Sequence, residues 1–177
     1  VDREALRDSG LIVPEDPVTG LLEEFRIIKR ELLADARASH AIKARRILIS
    51  SPLPGEGRTF CAANLAIALS AERDVEVLLV DAGVHNPSIS QPFGIEDAPG
   101  FMDALADPDQ RPEELAIATD IERLFIMPAG TSSARDSELL ASARTGQVLD
   151  RLTQGAPNRL VIFDTPPALA ASPAAEL

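Results

Sequence analysis

The chain has 177 residues, with 17 Lys plus Arg against 28 Asp plus Glu and a formal net charge of −11. Its 45% hydrophobic and 25% charged residues are the balance of one globular domain, which excludes a disordered tail. The acidic excess repels phosphate backbones and argues against nucleic-acid binding; the local group Lys43, Arg45 and Arg46 reads as the solvated flank of a strand.

No uncharged stretch approaches the ~20 apolar residues of a membrane helix, and the N-terminus lacks the basic-then-apolar order of a signal peptide. The single cysteine, Cys61, cannot form an intramolecular disulfide, so a reducing, cytoplasmic setting is expected without direct membrane insertion. There is no Trp and no Tyr.

Residues 1–19 carry mixed charges, Gly10, Pro14 and Pro17 without a sustained period, and read as a mobile arm. From Leu21, the positions Leu21, Leu22, Phe25, Ile28, Leu32, Leu33 and Ala36 recur at steps of three and four. That is the pattern of an amphipathic helix over about 20–38. Arg46 to Ser50 reads as a strand, followed by a Pro- and Gly-rich turn and a helix from about Thr59 to Ala71. Val75 to Val80, Leu124 to Met127 and Leu160 to Phe163 are further apolar runs of strand length. Pro112 suits a helix start, and Thr145 to Thr153 reads as a helix stopped near Gly155.

Runs without period-2 alternation, separated by helices, indicate strands buried on both faces. The predicted fold of residues 20–177 is therefore a doubly wound α/β domain, a mostly parallel sheet with helices on both faces. Ligands in such sheets bind at the carboxyl ends of the strands.

At the first of those ends the sequence reads Ser51, Pro52, Leu53, Pro54, Gly55, Glu56, Gly57, Arg58, Thr59. This is nearly a phosphate-binding loop, in which small residues let backbone N–H groups curl around phosphate oxygens at a helix N-terminus. Residues Pro54 to Phe60 are the candidate cofactor-binding segment: Pro54, Gly55, Glu56, Gly57, Arg58, Thr59 and Phe60. Thr59 stands where a hydroxyl would ligate Mg²⁺, and Arg58 stands where a lysine would reach the phosphates. Arginine keeps the charge but is longer and planar, so the exchange is not conservative. Pro52 removes one N–H donor. The plain alternative is a turn that binds nothing.

Asp81 and Asp164 each follow an apolar strand, where the metal of a bound nucleotide would sit. Their alternative is turn capping. Cys61 reads as a small core residue, and His40 and His85 as solvated or turn residues.

Together these motifs resemble the bacterial tyrosine kinases of exopolysaccharide synthesis, P-loop NTPases, and among them the autokinases that accompany exosortase-linked operons. The resemblance spans roughly residues 20–170: Glu23, Arg26 and Lys29 spaced three apart, Ser51 to Thr59, Val77 to Pro87, Pro99 to Leu105, Pro128 to Gly130 with Ser137 to Ser142, and Val161 to Pro167. It implies ATP or ADP with Mg²⁺ as cofactors. The first loop matches Walker A, Asp81 ends Walker A′ and Asp164 matches Walker B. Thr59, Asp81 and Asp164 inherit the metal, and Asp81 and Arg58 inherit catalytic roles. The resemblance also implies ring-like self-association through the Glu23, Arg26 and Lys29 helix, with recruitment to the inner membrane face by a membrane chain-length determinant protein.

Two departures bear on activity. The Walker A lysine is Arg58, and the Asp-x-Asp of Walker A′ is Asp81-Ala82-Gly83. The chain also stops soon after Asp164, where family domains continue toward a tyrosine-rich tail, so a truncated piece is expected. A non-catalytic nucleotide-binding scaffold is the second hypothesis. A partitioning-type ATPase is the third, disfavoured because Leu53 stands where those proteins carry an extra lysine.

Overall fold

The structure, a computed structural model, describes residues 1–39, 41–83, 89–95 and 98–167. The strands are β1 (Arg46–Ile49), β2 (Glu76–Asp81), β3 (Ile117–Ala118), β4 (Leu124–Met127) and β5 (Arg159–Asp164). They form one sheet in the order β1-β5-β2-β4-β3. β1, β5, β2 and β4 run parallel, as the apolar runs predict, and β3 pairs antiparallel with β4. At two residues β3 is too short to register as a run.

The helices are α1 (Arg3–Asp8), α2 (Gly20–Ala38), α3 (Arg58–Ser70), α4 (Ser90–Phe93), α5 (Phe101–Ala106), α6 (Asp136–Leu140) and α7 (Ala143–Gln154). Pro112–Leu115, expected to open a short helix, is a single 3₁₀ turn. Alternate residues of the central strands serve two cores. Val77, Leu79, Leu124, Ile126, Leu160 and Ile162 pack with α2 and α3. Leu78, Val80, Met127, Val161 and Phe163 pack with α5 and α7. Burial on both faces is why these strands read as unbroken apolar runs.

α3 is buried without interruption from Ala62 to Ser70, which makes it the rigid axis behind the loop that precedes it. α2 covers it with Phe25 and Leu33, and Thr19 caps its N-terminus by accepting from Leu22 N at 3.3 Å. Ile28, placed on the apolar face by its spacing, is 45% exposed beside the 61% exposed Ile27.

The N-terminal segment is the main correction to the sequence reading. Residues expected to be a mobile arm are folded: Asp2 caps α1 through Glu4 N and Ala5 N, and Leu6 is fully buried. Leu11, Ile12 and Val13 are buried too, and Ile12 N donates to Asn64 Oδ1 of α3 at 2.7 Å. The arm closes on itself through Arg3 with Glu15 and Arg7 with Asp16. Its few apolar residues are too irregularly spaced to show a period, yet they fill a groove that the helices leave.

The segments around Gly100 and Gly130 meet backbone to backbone. Phe101 N donates to Pro128 O at 2.8 Å and Met102 N to Ala129 O at 2.9 Å, so the first N–H groups of α5 are satisfied by the chain leaving β4. Asp103 completes the junction by accepting from Gly100 N and Thr131 N. A Cβ at Gly100 would lie 1.9 Å from Pro128 O, which only glycine avoids.

Candidate nucleotide site

The parallel register places Ile49 beside Asp164 and Asp164 beside Asp81, so both carboxylates stand in one row at the carboxyl edge of the sheet. From Ile49 the chain turns back into α3 with Gly55 at φ +78° and Gly57 at φ +83°. Both angles lie in the left-handed region that favours glycine. Gly57 is the N-cap of α3, and no side chain caps that helix end. The loop and the positive end of a 13-residue helix therefore face the two strand ends.

Thr59 Oγ1 donates to Asp164 Oδ2 at 2.6 Å. Asp164 is 3% exposed, and its other oxygen, Oδ1, is buried with no hydrogen-bond partner. Burial pushes the Asp164 carboxyl above the ordinary carboxylate range, against the pull of the Thr59 hydroxyl and the Arg58 charge. A buried, unsatisfied carboxylate oxygen is costly unless a cation or water meets it. This oxygen beside a threonine hydroxyl is a donor set of the hard-oxygen type that suits hydrated Mg²⁺. Thr59 and Asp164 could thus hold the metal together.

The other expected site residues are arranged differently. Asp81 is fully buried, with Oδ1 accepting from Gly83 N at 2.9 Å and Oδ2 from Ile89 N at 3.2 Å. Expected at the metal and in catalysis, it is engaged in this structure by the backbone N–H groups of Gly83 and Ile89. Arg58, expected on the phosphates, donates from Nε to Thr165 O at 2.8 Å and from Nη1 to Ser51 Oγ at 2.7 Å and Leu53 O at 2.9 Å. Glu56 Oε2 accepts from Leu53 N at 2.9 Å, which ties the loop internally, and Pro54 is exposed. Phe60 turns away from the loop, its ring edge 3.4 Å from where a Cβ on Gly10 would stand. Cys61, expected in the core, is exposed on α3. His40 and His85 lie outside the described residues.

Sequence reasoning passed over Ser51 and Thr165 as participants. Thr165 is 2% exposed, and its hydroxyl donates to Ile49 O at 2.9 Å, which locks β5 to β1 just below the loop. Its place directly after Asp164 was the available signal.

On α2, Arg26 pairs with Glu23 within the helix, while Lys29 turns inward to Glu72 at 2.8 Å and Ala68 O at 3.1 Å. The third residue of the expected association triad therefore anchors α2 to the end of α3. Among the described residues, no helix is long and apolar enough to cross a membrane.

No family model matches the chain. It is similar to EpsB of Ralstonia nicotianae, named as a tyrosine-protein kinase, at 33% identity over 93% of this chain and 21% of EpsB. It is similar to the succinoglycan biosynthesis transport protein ExoP of Rhizobium meliloti, at 31% identity over 78% of this chain and 17% of ExoP. The chain thus spans about a fifth of the length of these relatives. Among solved structures, the chimerical protein CapA2B2 superposes with a TM-score of 0.80 at 30% identity, over 95% of this chain and 71% of that one. The sheet is that of P-loop NTPase-type kinase domains. With this identity carried across more than two thirds of a solved relative, the chain belongs to the bacterial tyrosine kinase (BY-kinase) family.

Proposed function

We propose that this chain is the nucleotide-binding domain of a bacterial tyrosine autokinase that regulates exopolysaccharide synthesis and export. The observation that carries the reading is the contact of Thr59 with Asp164 beside the unsatisfied Asp164 Oδ1, under the left-handed Gly55 to Gly57 turn. Backbone N–H groups of that turn and of the start of α3 bind the phosphates of ATP or ADP. Thr59 and Asp164 hold Mg²⁺. Bound Mg²⁺–ATP would supply the γ-phosphoryl group for a tyrosine hydroxyl, with the bond to the β,γ-bridging oxygen broken, ADP leaving and the hydroxyl proton passing to solvent. These 177 residues contain no tyrosine, so the acceptor stands outside them.

A second reading is favoured by the engagement of Arg58 with its own loop and of Asp81 with backbone N–H groups. Phosphoryl transfer depends on charges placed at the transferred group, and Gly83 supplies none where the family pattern has a second aspartate. In this reading the domain is a scaffold that binds nucleotide and signals through assembly. Self-association uses the outward face of α2, where Ile27 and Ile28 are exposed, and the membrane partner is a polysaccharide chain-length protein. That setting places the domain at the cytoplasmic face of the membrane.

One experiment separates the readings. Calorimetric titration with ADP and ATP, with and without Mg²⁺, is paired with an assay of phosphate transfer to a poly(Glu,Tyr) substrate. Binding with transfer supports the kinase, and binding without transfer supports the scaffold. Absence of Mg²⁺-dependent binding overturns both.

A further inference from the structure

Arg58 occupies the one position where a P-loop has a dedicated phosphate cation, and its guanidinium is committed elsewhere. Nε donates to Thr165 O, on the chain leaving β5, while Nη1 donates to Ser51 Oγ and Leu53 O, on the chain leaving β1. The acceptors continue the linkage. Ser51 Oγ donates to Leu53 O at 2.9 Å, Leu53 N to Glu56 Oε2 at 2.9 Å, and the Thr165 hydroxyl to Ile49 O. One side chain therefore joins the start of α3, the two ends of the loop and the end of the neighbouring strand.

We propose that Arg58 is a positioning residue, a clasp that holds the loop closed against the end of β5 and is not itself a phosphate ligand. The second half rests on the nucleotide-site reading above; the first half does not. The chemistry of the side chain fits the role. A guanidinium presents donors in a fixed planar fork and can serve acceptors on two chain segments at once. A lysine ammonium, a compact point charge on a flexible stem, cannot hold the same three acceptors in one plane. The phosphate charge is then met by the loop backbone, the positive end of α3 and the metal held by Thr59 and Asp164.

The clasp makes an unusual prediction: restoring the family's lysine weakens this site. Four forms of the chain are compared without nucleotide, the wild type, Arg58→Lys, Ser51→Ala and the double variant. Arg58→Lys lowers the melting temperature by roughly 3–6 °C, as expected for losing charge-assisted hydrogen bonds in a domain of this size. Because Ser51 Oγ is one of the acceptors, the losses do not add: Ser51→Ala costs less in the Arg58→Lys background, where only its bond to Leu53 O remains to be lost, than it does alone. Ser51→Thr keeps the hydroxyl and the wild-type melting temperature, which guards against a trivial packing effect at Ser51. Unchanged melting in Arg58→Lys, or additive losses, overturns the clasp.

Calorimetric titration of Mg²⁺–ADP then tests the ligand half. The clasp predicts that Arg58→Lys binds about tenfold more weakly, since the loop has lost its tether. Equal or tighter binding by Arg58→Lys shows that the cation faces the phosphates and overturns the proposal. If the wild type binds no Mg²⁺–ADP, the nucleotide reading falls, and the nucleotide-free melting series still decides whether Arg58 is a clasp.

Discussion

The Thr59 hydroxyl and the Asp164 carboxylate meet at 2.6 Å across the gap between α3 and β5, and the second Asp164 oxygen is left buried without a donor. That pairing joins two sequence motifs 105 residues apart. It also leaves a charge that the folded chain alone compensates only in part.

Replacing Asp164 with Asn therefore separates stability from binding. Without nucleotide, Asp164→Asn removes a desolvated charge and keeps an acceptor for Thr59, so urea unfolding at neutral pH shows a gain of about 1 kcal/mol. The same variant loses the rise in melting temperature that Mg²⁺ with ADP gives the wild type. Ligand at a hundred times its dissociation constant adds about 2.7 kcal/mol to a competent site. A variant that is less stable and still responds to Mg²⁺ shows that the carboxylate is structural.

At Gly57 the chain enters α3 at φ +83° with open space where a Cβ would stand. Gly57→Ala thus meets no clash and only the cost of a left-handed L-residue, about 1–2 kcal/mol. Unfolding in urea should show that loss with an unchanged slope. Affinity for Mg²⁺–ADP should fall further than stability does, because relaxing φ turns the loop N–H groups away from the phosphates. Gly100 is the contrasting case. Its Cβ position is occupied by a backbone carbonyl, so an alanine there would have to force α5 away from β4.

The packed N-terminal segment makes a third prediction. Leu6 is fully buried in the α2 and α3 core, and Ile12 is tied to Asn64 of α3. Leu6→Ala should cost about 2–5 kcal/mol in urea unfolding, the range for a deleted core leucine. Trypsin digestion under native conditions should cut the wild type slowly at Arg3 and Arg7, and Leu6→Ala quickly. Fast cleavage of both proteins and an unchanged midpoint would mean that the segment does not contribute to the fold.

What the sequence revealed follows from the range of each interaction. The four parallel strands, α2, α3 and α7 were legible because each carries its own apolar run or period. The Thr59 and Asp164 positions were legible because loop, strand and acid follow a local order. The direction of the Arg58 side chain was not, since its acceptors Ser51 and Thr165 lie on the chain leaving two strands that only the sheet brings together. The backbone contacts of Asp81 were not legible for a similar reason: nothing in the sequence around a carboxylate at a strand end shows that it accepts from Gly83 N and Ile89 N. The arm was missed because Leu6, Leu11, Ile12 and Val13 answer to a groove formed by later residues.

The contact between Lys29 and Glu72 yields a pH dependence with a definite sign. Lys29 Nζ lies 2.8 Å from Glu72 Oε1 and also donates to Ala68 O near the C-terminus of α3, where a cation meets the negative helix end. The hydrogen bond from Lys29 holds the Glu72 carboxyl below its ordinary range; burial opposes it, and the Lys29 and Arg37 charges add to the lowering. The unfolded chain therefore takes up this proton first as the pH falls. The stabilisation is complete above the ordinary glutamate value of about 4.3 and is lost as the pH drops through the lower folded value. Glu72 is partly exposed, so solvent screening limits the effect, and Glu72→Gln should cost about 0.5–1 kcal/mol at pH 7. Denaturant midpoints of the two proteins should converge as the pH falls below the lowered folded value. A gap that persists unchanged at acid pH would assign the loss to packing of the side chain and not to its charge.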